Sequence, residues 1–117
     1  MNRWVLAAWY AGLALGLLMW QPPAAGASGD SATGKGVYEK HCLVCHGPQG
    51  KGDGPAGRML KPPAGDFTGA DSKKKSEGDL RIIVENGKPG TAMGPWKSQL
   101  SQPELNDLMT YVMTLRK

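Results

Sequence analysis

Two cysteines and a histidine lie within five consecutive residues, Cys42-Leu43-Val44-Cys45-His46, and this stretch limits the fold of the chain more than any other. Cysteines at positions i and i+3 of a helical turn project from the same face of the helix. Both thiols can therefore bond to one flat ligand, and His46 follows directly with an imidazole that can bind a metal ion. The rest of the chain has to fold around whatever these three side chains hold.

The spacing of these residues is the one by which a c-type haem is attached. Cys42 and Cys45 would each form a thioether with one of the two vinyl groups of the porphyrin, and His46 would offer a ring nitrogen to the iron as the proximal ligand. We therefore predict one covalently attached haem c. No second motif of this kind occurs in the chain.

Three other uses of the same residues fit the sequence less well. A thioredoxin-type dithiol opens a helix after a buried strand, whereas residues 33–41 are polar and follow a helical period. A zinc site could use the two thiols and two imidazoles at positions 41–46. Structural zinc sites, however, take two ligands from a distant second segment, and the chain has no other cysteine or histidine. A disulfide between the two cysteines would close too small a loop to stabilise the fold much.

The first 27 residues have the composition of an export signal. Met1-Asn2-Arg3 is a short basic start, residues 4–20 are nearly all apolar, and Ala25-Gly26-Ala27 offers a small-residue cleavage site after two prolines. We predict a signal peptide over residues 1–27 and a periplasmic domain over residues 28–117. An uncleaved membrane anchor is the alternative, because the apolar run is only slightly shorter than the roughly 20 residues that span a bilayer.

Cleavage would leave about 90 residues, too few to build a large apolar core. The 17 glycines and 9 prolines of the whole chain indicate helices joined by long irregular loops. A buried porphyrin would supply the missing core. The formal charge of +4 falls to +3 without Arg3, which suits an acidic protein partner and is too small to indicate nucleic-acid binding.

Periodicity and capping signals predict three helices. The first begins after an N-cap at Asp30 or Ser31 and ends near residue 42. The second begins at Ser76, which forms an approximate capping box with Asp79, and ends at Gly87. No strand pattern is present.

The third helix is the best defined of the three. It begins with a capping box of Ser101 and Glu104, and its apolar residues recur with the spacing i, i+3, i+4. The stripe of Leu108 and Tyr111 is where we expect the first helix to cross it.

The segments between these helices are irregular. Five glycines between positions 47 and 57 exclude helix and strand, and predict a tight loop with positive φ at several positions. Leu60 and Phe67 follow among prolines and are predicted to pack on the haem edge. Arg58 could reach a haem propionate, although an exposed arginine is the commoner outcome. Residues 73–75, three lysines, are predicted to form a solvated loop.

The sixth iron ligand has to be chosen from six methionines. Two of them belong to the predicted signal peptide, and Met109 and Met113 lie on the third helix, where a stripe usually means core. Met93 stands in a Gly/Pro-rich loop between two helices, free to bring its thioether to the far face of the ring. Met59 is the rival, a short loop beyond His46.

These features together resemble a class I cytochrome c over essentially the whole chain after residue 27. The matching features are Gly34-x-x-x-Tyr38, the Cys-x-x-Cys-His motif, Gly54-Pro55, Met93-Gly94-Pro95 and the C-terminal helix. The resemblance implies that Gly34 and Tyr38 meet the last helix at close range. It also implies that a carbonyl at Gly54-Pro55 accepts from the free N–H of His46, that Met93 is the distal ligand, and that Trp96 packs on the haem.

The resemblance implies an all-α class I cytochrome c fold, with three or four helices around one haem. With His46 and Met93 on the iron no coordination position is open, so the implied function is one-electron transfer between exported or membrane respiratory proteins, by a monomer that is not an enzyme. Redox partner proteins would dock at the exposed haem edge. Five lysines could steer them: Lys51, Lys61, Lys73, Lys88 and Lys97. Two alternatives stay open: the haem subunit of a larger periplasmic oxidoreductase, and a sensor or peroxidase-like protein with a labile methionine ligand.

Overall fold

The computed structural model describes residues 29–117, so the predicted signal peptide and its cleavage site lie outside the described residues. Between residues 29 and 117 the chain is helical and contains no strand, which confirms the predicted all-α class. Its helices are α1 (Ser31–His41), α2 (Leu43–His46), α3 (Ala70–Lys73), α4 (Glu77–Asn86) and α5 (Gln102–Leu115), with a 3-10 turn at Gly57–Met59. None of the helices in this range is both long and apolar enough to cross a membrane.

The three long helices begin where the capping signals predicted. The Asp30 side chain caps α1 by accepting from the backbone N–H of Ala32 at 2.8 Å. At α4 the Ser76 hydroxyl accepts from Asp79 N–H at 3.1 Å, and the Asp79 carboxylate accepts from Ser76 N–H at 2.8 Å. The Ser76 hydroxyl also donates to the Asp79 carboxylate at 2.7 Å, and this bond, followed by the one from Ser76 N–H, holds the pKa of Asp79 below its usual value.

The same reciprocal pair opens α5. Glu104 accepts from the backbone N–H of Ser101 at 2.8 Å, and the Ser101 hydroxyl accepts from Glu104 N–H at 3.3 Å. The hydrogen bond from Ser101 N–H, followed by one that the Ser101 hydroxyl donates to the same carboxylate at 2.8 Å, lowers the pKa of Glu104. Both capping boxes were therefore predictable from four residues of local sequence.

The crossing of α1 and α5 is the centre of the fold. A Cβ atom at Gly34 would overlap the carbonyl oxygen of Asp107, so the two backbones touch where a side chain is absent. One turn further along, the buried ring of Tyr38 meets Tyr111 edge-on, with ring centroids 5.3 Å apart. The implied close approach of a small and an aromatic residue to the last helix is confirmed. The buried apolar core consists of Tyr38, Leu80, Leu100, Leu105, Leu108, Met109 and Val112.

Two single-turn helices were not predicted, and with them residues 29–117 contain five helices where three or four were expected. Cys42 ends α1 and also caps α2, so the haem motif lies on a turn of its own. The α3 turn includes the first of the three lysines expected in a loop. The Arg116 guanidinium donates to the carbonyls of Ser72 and, at 2.8 Å, Lys75. Arg116 follows α5 and thus stabilises the α3 turn from a distant part of the chain, so the local sequence of the turn does not predict it.

Candidate functional site

A cavity of about 550 Å³ opens between the long helices and the loops that join them. Its walls are mainly apolar, and α4 contributes Leu80, Ile83 and Val84. Side chains that are far apart in sequence meet there. Among the predicted site residues, Cys42, Cys45, His46, Met93 and Trp96 all line it.

The two cysteines are half-buried and not bonded to each other. Burial, with a smaller contribution from Cys45, raises the pKa of the Cys42 thiol to about 11. Cys42 is therefore a neutral thiol at pH 7 when no ligand is bound. Within residues 29–117 no three His, Cys, Asp or Glu side chains are grouped so that they could hold a metal ion. The zinc alternative is not supported.

His46 is held by a backbone carbonyl. Its Nδ1 lies 3.1 Å from the carbonyl oxygen of Gly65. Because a carbonyl can only accept, Nδ1 carries the proton and Nε2 keeps its lone pair free for a metal. Burial lowers the pKa of His46, with the Gly65 contact acting in the opposite direction, so the imidazole is neutral at pH 7. This is the form that coordinates iron.

The identity of that carbonyl corrects a prediction. The resemblance placed it at Gly54-Pro55, but Pro55 is exposed and does not line the cavity. Gly54 instead packs behind α2, where its N–H donates to the carbonyl of Cys45 at 3.2 Å and a Cβ would overlap the carbonyl of Val44. The glycine-rich loop therefore covers the carbonyl end of α2, and the segment carrying Gly65 reaches the imidazole.

The predicted tight loop after the motif is confirmed. Gly47, Gly50 and Gly52 have φ of 77°, 72° and 74°. At Gly50 the missing side chain also has a packing reason, since a Cβ would lie 2.6 Å from Cδ2 of Phe67.

Phe67 and Leu60 both line the cavity, and Phe67 has a further contact that sequence reasoning missed. Its ring stacks on the imidazole of His46 with centroids 4.6 Å apart and planes at 18°. The backbone N–H of Phe67 donates to the carbonyl of Gly50 at 2.7 Å, which fixes the segment against the loop. No local pattern indicates this pairing, because the two rings are 21 positions apart in the sequence.

The candidate methionine ligands differ in position. Met93 lies in the cavity wall and is half-buried. Met59 is 78% exposed and does not line the cavity. Met109 also lines the wall but is fully buried in the core on α5, as its helical stripe predicted. Of the two methionines left open by the sequence, the structure brings Met93 to the cavity that holds His46.

Trp96 connects the methionine loop to two helices. Its backbone N–H donates to the carbonyl of Val84 at 3.0 Å on α4. Its ring packs against His41 at the end of α1, with centroids 5.1 Å apart and planes at 58°. The loop that carries Met93 is thereby fixed on both sides of the cavity.

The residues of this cavity fit a haem group. Its volume is in the range of small-molecule sites, and apolar walls suit a porphyrin. Two thiols, a neutral imidazole and a thioether face the same space, which is the donor set of a covalently bound His/Met haem.

Most of the lysines and arginines between residues 29 and 117 do not line this cavity. The five lysines predicted at its rim are all exposed, and Lys88 also lines the cavity. Lys75, which was not among them, lines it as well and donates to the carbonyl of Asp71 at 3.0 Å. Arg58 is exposed and outside the cavity wall, the commoner outcome for an arginine.

Known proteins are similar to this chain in sequence and in fold. Residues 29–112 match the family model described as "Cytochrome C oxidase, cbb3-type, subunit III". Cytochrome c-554(547) of Halothiobacillus neapolitanus is 29% identical over 96 residues, which is 76% of this chain and all of that protein.

Solved structures agree with these matches. A c-type cytochrome, KustC0563, is 27% identical with a TM-score of 0.60, covering 72% of this chain and 98% of that one. A chain of the Kuenenia stuttgartiensis reducing HAO-like protein complex Kustc0457/Kustc0458 has a TM-score of 0.64 at 24% identity. The matched part is 74% of this chain but only 42% of that one. At 24% identity this comparison shows a similar fold and nothing more.

Proposed function

The chain belongs to the cytochrome c family whose model matches residues 29–112, and from this we propose that it is a one-electron carrier. In the proposal Cys42 and Cys45 would hold one haem c covalently, and His46 and Met93 would bind its iron. The observation that carries it is the meeting of these four side chains in one apolar cavity.

The mechanism follows from what each residue does in that cavity. A haem bound there supplies reversible one-electron chemistry at its iron. His46 offers Nε2 because the Gly65 carbonyl holds the proton on Nδ1, and the same contact increases the electron donation of the imidazole. Met93 offers a neutral thioether, which favours the ferrous state over the ferric state relative to a second imidazole. Apolar walls exclude water and act in the same direction.

The decisive experiment compares Met93→Ala with Met59→Ala. Met93→Ala should abolish the weak long-wavelength absorption band that the family resemblance associates with methionine on ferric iron, and should allow carbon monoxide to bind the reduced protein at neutral pH. Met59→Ala removes a methionine that lies outside the cavity and is 78% exposed, so both properties should stay as in the wild type. Loss of the band in Met59→Ala alone would reassign the ligand. Carbon monoxide binding by the wild type would instead favour a sensor or peroxidase-like protein.

A second candidate is the haem subunit of a larger oxidoreductase. The observation favouring it is the description of the family, which names a subunit of an oxidase. The native mass of protein purified without overexpression separates the two candidates: a mass near that of the single chain supports a monomeric carrier that docks with its redox partners transiently, and a stable larger assembly supports the subunit.

We further propose that the domain works in the periplasm after removal of residues 1–27. The support is the sequence of that segment together with the covalent haem, because c-type haems are assembled outside the cytoplasmic membrane. The intact mass of the purified protein tests cleavage after Ala27. A mass that retains residues 1–27 would favour the membrane anchor.

A further inference from the structure

The proposed function gives no role to the ring of Phe67, which is stacked on His46. The planes of Phe67 and His46 differ by 18°, and the centroids are 4.6 Å apart, close enough for the flat faces to lie in contact. This contact covers one face of the imidazole, and the Gly65 carbonyl holds its Nδ1 edge at 3.1 Å. Rotation of the ring is therefore opposed by two separate contacts.

Phe67 is itself held by the loop that follows the haem motif. Its N–H donates to the carbonyl of Gly50 at 2.7 Å, and the Gly50 N–H donates to the carbonyl of Gly47 at 3.2 Å. Gly47 is the residue after His46 and also accepts from the Tyr38 hydroxyl at 2.6 Å. A series of hydrogen bonds thus connects the residue after His46 to Phe67, whose ring in turn contacts the face of the His46 side chain.

Gly50 leaves the space that this stacking requires. A Cβ there would lie 2.6 Å from Cδ2 of Phe67 and 3.3 Å from Cδ1 of Leu115, so any larger residue would push the phenyl ring from its place. The absence of a side chain at Gly50 therefore lets the ring of Phe67 lie where it contacts the imidazole.

We propose that Phe67 is a positioning residue that fixes the plane of the His46 imidazole. It acts through His46 and forms no bond to the metal. This inference rests on the proposed function, because the orientation of His46 matters to electron transfer only if that residue is the proximal ligand.

The experiment compares Phe67→Leu, Phe67→Met and Phe67→Tyr with the wild type in the haem-loaded protein. The readouts are the EPR g values of the oxidised form and the hyperfine-shifted haem methyl resonances in its NMR spectrum, both of which respond to the plane of the axial imidazole. Phe67→Leu and Phe67→Met keep apolar volume but remove the flat face. They should broaden or split the g values and change the order or spread of the methyl shifts. Phe67→Tyr keeps the stacked ring and should give the same g values and methyl shifts as the wild type.

The matched control is Tyr111→Leu, which removes an aromatic ring that packs on Tyr38 and does not line the cavity. It should leave the EPR and NMR patterns unchanged even if it lowers stability. Wild-type spectra in both Phe67→Leu and Phe67→Met would overturn the proposal, as would an equal change in Tyr111→Leu. If one of the apolar variants fails to fold, the other still decides.

Haem staining of the same samples on a denaturing gel separates this inference from the function beneath it. Absence of covalent haem in the wild type would refute the proposed function. Stained protein whose Phe67 variants keep the wild-type spectra would refute the positioning role alone.

Discussion

The Tyr38 hydroxyl lies 2.6 Å from the carbonyl oxygen of Gly47, in the interior next to the haem motif. Burial, and to a lesser extent the neighbouring Cys42, raises the pKa of this phenol above its usual value. Sequence alone indicated an aromatic residue facing α5. The hydrogen bond adds a second role, because it ties α1 to the residue that follows His46.

Replacing Tyr38 by Phe should lower the free energy of unfolding by about 1 kcal/mol at neutral pH. The loss is limited because the Gly47 carbonyl still accepts from the Gly50 N–H at 3.2 Å. Denaturant unfolding of the haem-loaded protein measures it. Tyr111→Phe is the control, since its hydroxyl makes no hydrogen bond to the part of the chain that the structure describes, and it should change stability by less than about 0.5 kcal/mol.

The stability that Tyr38 provides should fall in alkaline solution. Above about pH 10 the unfolded chain loses the Tyr38 proton while the native state, with its raised pKa, retains it. Stability provided by this group is therefore complete below pH 10 and falls as the pH rises further. The wild type should lose its advantage over Tyr38→Phe in alkaline solution. Parallel stability curves for the two proteins above pH 10 would contradict the assignment.

At the scale of the helices, Gly34 and Gly36 lie two positions apart on α1 and face different surroundings. A Cβ at Gly34 would overlap the backbone of α5, whereas one at Gly36 meets nothing within 4 Å. Gly34→Ala should therefore destabilise the protein by about 1–3 kcal/mol through forced separation of the helices. Gly36→Ala should stabilise it by about 0.5–1 kcal/mol, because alanine is the better helix former.

Thermal unfolding of both variants measures the difference. Both variants replace glycine by alanine in the same helix, so helix propensity alone predicts equal gains in stability at the two sites. Equal gains would mean that α1 and α5 do not touch at Gly34.

The capping boxes were predictable because each depends on residues within one turn of sequence. The α1–α5 crossing joins residues about 70 positions apart, and it was expected only because Gly34 and Tyr38 resemble the N-terminal helix of the family. The partner of the His46 Nδ1 was not predictable in this way. The resemblance pointed to Gly54-Pro55, while Gly65 supplies the carbonyl after a proline-rich loop whose path no local signal determines. Phe67 was correctly placed at the site, but its stacking on His46 depends on how that loop closes.

For the whole molecule, the cavity and the apolar core share their side chains. Five of the seven buried apolar residues also line the cavity, among them Leu108 and Met109. Without a ligand, the cavity would leave these apolar side chains in contact with water. The proposed haem would cover them and so complete the core.

Removing the proposed covalent attachment should consequently destabilise the whole domain and not the site alone. The double variant Cys42→Ala/Cys45→Ala, purified without haem, should lose cooperative thermal unfolding by far-UV circular dichroism, and its α1 and α5 amides should exchange with solvent far faster than in the haem-loaded wild type. Val44→Ala is the control, because this side chain lies between the two cysteines but is 52% exposed. It should retain haem and melt cooperatively. A haem-free double variant that melted as the wild type does would show that the protein core is sufficient by itself.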